Sequence, residues 1–190
     1  MKLERLNALG AVYHDPMQII DWEQVDDGLP WLPHELLSLS ADELETSQQS
    51  SIYQKFSQVE FARLCAAGIW LEGLLISRTS SQGFLNLTSN EVQVLLQEIR
   101  EEAGHSLMFL KMIERAGYTG VALLGPTRLL SWVARRLGPN DAAFWAMVYI
   151  GETVTDSFAL QALRLDRKGD AQISCLARDV LALHHRDEAR

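Results

Sequence analysis

The sequence predicts an all-α fold in which four long helices form a bundle of two antiparallel hairpins. Apolar residues recur at helical spacing in four long segments, and no stretch alternates with the two-residue period of a strand. Two capping boxes, Ser40–Glu43 and Thr88–Glu91, mark the starts of helices. We expect one domain over residues 1–190, with 1–39 as an irregular N-terminal wrap and 40–190 as the bundle.

Glycine, proline and capping residues set the expected boundaries of each element. Residues 1–39 contain Pro16, Pro30 and Pro33 and should hold short helices at most. Gly117 and Gly169 should each end a long helix, and Asp170 should cap the last one. The expected long helices are 50–78, 89–117, 140–168 and 170–190, and a short helix from Pro126 to Gly138 should connect the two hairpins.

The composition narrows the class of protein. A hydrophobic content of 47% fits a soluble globular chain, and a net charge of −8 argues against nucleic acid as a partner. The first residues lack the apolar region of a signal peptide, and the longest apolar stretch, 65–76, is too short to span a bilayer. Cys65 and Cys175 form no C-x-x-C pair and fit buried thiols. We therefore expect a cytoplasmic protein without membrane contact.

Acidic residues and histidines repeat within this helical pattern. Glu102 and His105 share a helix face at i, i+3, and a lone Glu72 lies 30 residues earlier in an apolar run. A carboxylate in such a run needs a partner. We expect Glu72 to bind metal; a salt bridge to Arg63 or Arg78 is the alternative, and Glu60 is the rival ligand.

The second half of the chain repeats the arrangement. Glu152 lies 36 residues before Glu188, and His184 shares the Glu188 face at i, i+4, which favours it over His185. Counting from Gly169 places Glu152 level with His184 and Glu188 in an antiparallel pair. Two passes of a lone Glu followed by Glu-x-x-His are the ligand layout of a carboxylate-bridged di-metal site in a four-helix bundle, and this sequence matches it except for the final histidine. The histidine expected three residues after Glu188 would fall at position 191. We therefore expect a weaker metal site beside Glu152 and Glu188 in this sequence.

Neighbouring residues are candidates for supporting roles. A ligating histidine needs an acceptor for its second ring nitrogen, and Asp187, Glu101 and Glu98 are candidates. Asp156 could hydrogen-bond a ligand or be an ordinary polar helix residue. The glycines beside the predicted ligands either leave room for a substrate or permit close helix packing; they are Gly68, Gly73 and Gly151.

Oxygen-rich ligation with few imidazoles favours iron or manganese over zinc. We expect two iron ions, with manganese as the alternative. Such a pair of ions can supply two electrons to O2, and the protein then supplies geometry and a pocket.

These residues resemble the di-iron N-oxygenase family typified by p-aminobenzoate N-oxygenase, a branch of the ferritin-like bundles. The resemblance covers about residues 50–190 and rests on Glu72, Glu102-x-x-His105, Glu152 and His184-x-x-x-Glu188. It implies a ferritin-like di-iron oxygenase that uses O2 to oxidise a small aromatic or amine substrate, and we expect a homodimer. The alternatives are an iron-storage bundle and a metal-free bundle whose site has decayed.

Overall fold

The computed structural model describes residues 2–24, 28–38, 49–81, 83–119, 132, 136–138, 141–169 and 171–188. Within these ranges the regular elements are all helical, which confirms the predicted fold class. The elements are α1 (Lys2–Gly10), α2 (Pro16–Ile19), a 3₁₀ turn (His34–Leu36), α3 (Gln49–Ser81), α4 (Ser89–Arg115), α5 (Ala142–Lys168) and α6 (Cys175–Glu188). The predicted Ser40–Glu43 capping box and most of the predicted connecting helix lie outside the described residues, and the single domain stays a prediction.

The first hairpin pairs α3 with α4, and local signals fix the ends of α4. Thr88 Oγ1 accepts from the Glu91 amide at 3.4 Å, and Glu91 Oε2 accepts from the Thr88 amide at 2.8 Å, so the predicted capping box is present. At the other end Gly117 has φ 88°, and the Tyr118 amide donates to the Ile113 carbonyl at 3.1 Å. This left-handed glycine ends α4. The helices α3 and α4 run antiparallel, with Phe109 against Gly68.

The second hairpin pairs α5 with α6, and Gly169 ends α5 with φ 76°, as predicted. The prediction that Asp170 opens the last helix is wrong, because α6 begins at Cys175. The Ser174 amide donates to the Pro30 carbonyl at 2.8 Å, and the Ile173 amide donates to Asp166 Oδ1 at 3.2 Å. These bonds hold the chain extended until Ser174 Oγ accepts from the Ala177 amide at 3.2 Å and caps the helix.

The N-terminal segment lies against the long helices. Arg100 donates to the Gly10 carbonyl at 2.6 Å and thereby ties the end of α1 to α4. The Trp31 amide donates to Ser57 Oγ at 3.0 Å, and the Trp31 ring meets the Phe61 ring edge-on at 5.7 Å. This segment therefore covers the α3 surface that would otherwise expose the core.

Two groups of buried apolar side chains flank the middle of the bundle. The larger group contains Phe61, Met108 and Ile113, and the smaller one contains Phe144 and Val148. Between these two groups, the helices carry buried acidic and imidazole side chains. No helix in the described part of the chain is both long and apolar enough to cross a bilayer.

Candidate metal centre

Six side chains from the four long helices converge between the two apolar groups. They are the six predicted from the sequence: Glu72 from α3, Glu102 and His105 from α4, Glu152 from α5, and His184 and Glu188 from α6. Their oxygen and nitrogen atoms form three overlapping groups, and within each group the atoms lie within 4.8 Å of one another. The groups are Glu72, His105 and His184; Glu102, His105 and Glu188; and Glu152, His184 and Glu188.

Helix periodicity places these side chains correctly on each element. Glu102 and His105 are buried on the α4 stripe that continues through Met108 and Met112 into the core. His184 Nε2 lies 3.8 Å from Glu188 Oε1 one turn away, and 3.7 Å from Glu72 Oε1 across the bundle. The i, i+3 and i, i+4 spacings read from the sequence thus become short distances in space.

The two ring nitrogens of His105 face different partners. Nδ1 lies 3.3 Å from Glu102 Oε2 and 3.6 Å from Glu188 Oε1. Nε2 lies 3.6 Å from Oδ2 of Asp187, whose side chain is buried. The arrangement directs one nitrogen toward the carboxylate cluster and leaves the other to an acceptor, as a metal-ligating imidazole requires.

Several polar atoms of this cluster are buried without a hydrogen-bond partner. They are Glu72 Oε2, both carboxylate oxygens of Glu152, and His184 Nε2. Buried polar groups are normally hydrogen-bonded, so such a concentration calls for a partner of another kind. A cation among these atoms would satisfy them, and four carboxylates with two imidazoles suit iron or manganese. The donor set therefore fits a pair of divalent ions.

Burial, and then mutual repulsion, raise the pKa values of three carboxylates of the cluster. Burial, followed by the charge of Glu102, raises the pKa of Glu152 to about 7. Burial, with the charges of Glu102 and Glu152, raises the pKa of Glu188 to about 8. Burial and Glu102 also raise the pKa of Glu72 well above its ordinary value. Without a cation, the cluster therefore retains protons near neutral pH.

The pKa values of the two histidines are shifted in opposite directions. Burial opposes the charging of His105, but hydrogen bonds with Asp187 and Glu102 prevail and raise its pKa to about 10. Burial, with the charge of His105, lowers the pKa of His184 to about 4. His184 is therefore neutral at pH 7 and has a nitrogen lone pair available for a metal ion.

The alternative residues lie elsewhere. Glu60 accepts from the Ser38 amide at 3.3 Å and from Ser38 Oγ at 3.1 Å, so it is outside the cluster. His185 bonds Asp156 through Nδ1, and both side chains are about one-third exposed. Asp156 therefore binds the histidine next to His184, rather than a predicted ligand.

The structure also locates the other residues that the sequence suggested as partners of the ligands. Glu101 is half-buried and Glu98 is exposed on α4, and neither belongs to the three groups of close atoms found among the described residues. Arg78, a predicted alternative partner of Glu72, lies over the Phe144 ring at 5.9 Å. Of the second-nitrogen acceptors considered, Asp187 is the one placed against His105.

The structure adds two features that the sequence did not indicate. His14 Nδ1 lies 3.9 Å from Asp187 Oδ1, so the N-terminal segment reaches the edge of the cluster. An apolar cavity also adjoins Glu72, Glu152 and His184. No regular spacing relates residue 14 to residue 187, and the cavity depends on how four helices pack, so neither had a signal in the sequence.

Comparison with known proteins gives a family. The model of the P-aminobenzoate N-oxygenase AurF family matches residues 4–190. Uncharacterized proteins of Mycobacterium bovis and Mycobacterium tuberculosis are each 26% identical to the chain in an alignment of 186 positions that covers 93% of this chain and 53% of theirs. The chain thus spans about half the length of these relatives. No solved structure matches it significantly. Since the family match covers nearly the whole chain, the chain belongs to the AurF family.

Proposed function

We propose that this member of the AurF family binds two iron ions and uses O2 to oxidise a small aromatic or amine substrate. The observation that carries the proposal is the convergence of four carboxylates and two imidazoles, several with buried, unpartnered atoms. A hydrogen-bonded structural cluster would leave few such atoms. The family match supports oxygenase chemistry at this position.

The proposed ligands are Glu72, Glu102, His105, Glu152, His184 and Glu188. Glu102 would be central to holding the ions, because it lies between His105 and the Glu72 side of the cluster. Bound iron would supply electrons and open coordination positions for the reduction of O2. Manganese is the alternative metal, since it accepts the same ligand types.

The protein groups around the ligands have separate tasks. Oδ2 of Asp187, 3.6 Å from Nε2 of His105, is placed to orient the imidazole so that Nδ1 is directed into the cluster. Glu152 and Glu188, with pKa values of about 7 and 8, would hold a cation as carboxylates and would release their protons on its binding. The apolar cavity beside Glu72 limits the access of water to the oxidising centre.

The direct test combines metal analysis with turnover. The full chain is loaded anaerobically with ferrous iron, its iron content is measured, and O2 is added with an arylamine while O2 uptake and oxidised products are followed. Glu102→Ala should abolish product formation while the far-ultraviolet dichroism stays helical. Glu114→Ala is the matched control, because Glu114 is on the same helix and exposed. Turnover by Glu102→Ala at the wild-type rate would contradict the assignment.

The two alternative functions give different results in the same experiment. An iron-storage bundle would take up iron and O2, accumulate a ferric mineral and oxidise no amine. A decayed site would bind no iron above the level of a nonspecific control protein. Product that depends on both iron and O2 supports the oxygenase over both alternatives.

A further inference from the structure

Residues 10–16 connect α1 to α2 and pack beside the proposed metal centre. Within this segment, here called the N-terminal strap, His14 Nδ1 lies 3.9 Å from Asp187 Oδ1 on α6. We propose that the strap holds Asp187 against His105 and thereby slows the release of metal ions, with His14 as a positioning residue. The inference rests on the proposed function, because it concerns how firmly the same site holds its ions.

Both ends of the strap are anchored. Arg100 on α4 donates to the Gly10 carbonyl at 2.6 Å, and its guanidinium lies 4.4 Å from the centre of the Tyr13 ring. At the other end, the Asp15 side chain accepts from the Met17 amide at 3.0 Å and caps α2. Because these contacts fix the ends, the side chains between them have defined neighbours.

A glycine in α4 allows the strap to approach the helix backbone. A Cβ at Gly104 would overlap the Tyr13 hydroxyl oxygen and would lie 3.2 Å from Pro16 Cδ. Glycine weakens the interior of a helix relative to alanine, and here the close approach of Tyr13 requires it. Gly104 directly precedes His105. The strap is therefore packed against the helical turn that carries a proposed ligand.

His14 approaches the buried pair of Asp187 and His105 from the strap. Its Nδ1 atom is buried, has no hydrogen-bond partner among the described residues and faces Asp187 Oδ1. Oδ2 of the same carboxylate lies 3.6 Å from His105 Nε2. Arg186 Nε also lies 3.4 Å from Asp187 Oδ1, but Arg186 is on the same helix as Asp187. His14 is thus the residue that joins this carboxylate to the strap.

The proposed ions can leave only when their ligands move apart and water reaches them. The side chains of His105 and Asp187 are 3% and 4% exposed, so this side of the centre is closed to solvent. Loss of the contact behind a ligating histidine typically weakens metal binding by about 10–100-fold. A strap that keeps Asp187 in place therefore slows dissociation, because it keeps the His105 ring in one orientation.

The direct test measures metal release after the strap has been displaced. The full chain is loaded with Mn(II) and mixed with an excess of a chelating dye, and release is followed by the absorbance of the dye complex. Gly104→Ala should speed release about tenfold, because the added methyl group overlaps the Tyr13 hydroxyl. Gly73→Ala is the matched control, since its Cβ would meet nothing within 4 Å. Equal release rates for the two variants would overturn the inference.

A second change separates displacement of the strap from a local defect in α4. Tyr13→Phe removes the overlapping hydroxyl and keeps the ring beside Arg100. The double variant Tyr13→Phe/Gly104→Ala should therefore release Mn(II) at a rate within about threefold of Tyr13→Phe alone. Release as fast as that from Gly104→Ala would show that the strap is not the cause, and would overturn the inference.

The role of His14 is tested by two substitutions and a control. His14→Ala should speed release about fivefold, because Asp187 loses its contact with the strap. His14→Asn should restore the slow rate, because its amide nitrogen is a donor that reaches nearly the position of Nδ1. His34→Ala is the control, since His34 is exposed and pairs with its neighbour Glu35. Equal rates for His14→Ala and His34→Ala would overturn the positioning role of His14.

Failure of the inference is distinguishable from failure of the proposed function. The energetic coupling between Tyr13 and Gly104 is measured by urea denaturation with a chelator present, so it requires no metal. Firmly bound Mn(II) whose release rate is the same in all variants would overturn the inference and leave the proposed function intact. A chain that shows this coupling but binds neither Mn(II) nor iron would overturn the inference together with the proposed metal site.

Discussion

Oδ2 of Asp187 lies 3.6 Å from Nε2 of His105, on the edge of the imidazole opposite Glu102. The two residues come from different helices, and the Asp187 side chain is only 4% exposed. Asp187 is adjacent to a proposed ligand in sequence but contacts a proposed ligand of another helix. The contact links the ring orientation of His105 to the position of α6.

Asp187→Asn should weaken metal binding by roughly 10–100-fold, the usual cost of losing the acceptor behind a ligating histidine. The amide is nearly isosteric but cannot supply the negative charge that favours the Nδ1-ligating tautomer. Asp179→Asn is the control, because Asp179 is exposed on the same helix and accepts from Gln24. Competition titration with a chelating dye measures the affinity for Mn(II); equal affinities of the two variants would count against a role for Asp187.

Glu72→Gln should reduce divalent-metal affinity at least tenfold, whereas Glu60→Gln should leave it unchanged. Both residues are on α3, but Glu72 is buried in the cluster and Glu60 bonds Ser38 at the surface. A neutral amide is a poor ligand for a hard cation compared with a carboxylate. Elemental analysis after dialysis gives the ion content. Loss of metal in the Glu60 variant alone would reverse the choice between these two residues.

Glu188→Gln should stabilise the metal-free protein in alkaline solution but not in acid. Burial and the neighbouring carboxylates raise the folded-state pKa of Glu188 from 4.5 to about 8. The wild-type protein therefore loses stability relative to the variant as pH rises through this window, and the full difference is present above it.

Thermal midpoints measured with a chelator at pH 4 and pH 8.5 check this prediction. Each kcal/mol of relieved repulsion should raise Tm by about 2–4 °C for a chain of this size. The midpoints should nearly coincide at pH 4. A difference that does not change with pH would indicate a packing effect instead of charge.

Gly68→Ala should destabilise the protein, whereas Gly73→Ala on the same helix should not. A Cβ at Gly68 would lie 2.6 Å from the Phe109 ring, but one at Gly73 would meet nothing within 4 Å. Overpacking costs about 1–3 kcal/mol, while alanine in an open helical position gains roughly 0.5–1 kcal/mol over glycine. Urea denaturation should show opposite shifts; stabilisation by both changes would mean that helix propensity outweighs the contact with Phe109.

The sequence by itself determined the helices and the faces that carry the acidic residues. Helical hydrogen bonds and the i, i+3 spacing are local, so Thr88, Gly117 and Gly169 located helix ends within a few residues. The same locality placed Glu102 beside His105. To predict that the six side chains converge, the only further assumption was that neighbouring helices pair antiparallel.

Tertiary contacts decided what lies beyond this local range. The last helix starts at Cys175 because the Ser174 amide bonds the Pro30 carbonyl, and residue 30 is too distant in sequence to leave a periodic signal. The side-chain packing of α3 buries Glu72 and leaves Glu60 to Ser38, although both had been candidates. The contact of Asp187 with His105, and the apolar cavity, likewise depend on how separate helices meet, because side-chain partners across a bundle are set by helix rotation and spacing.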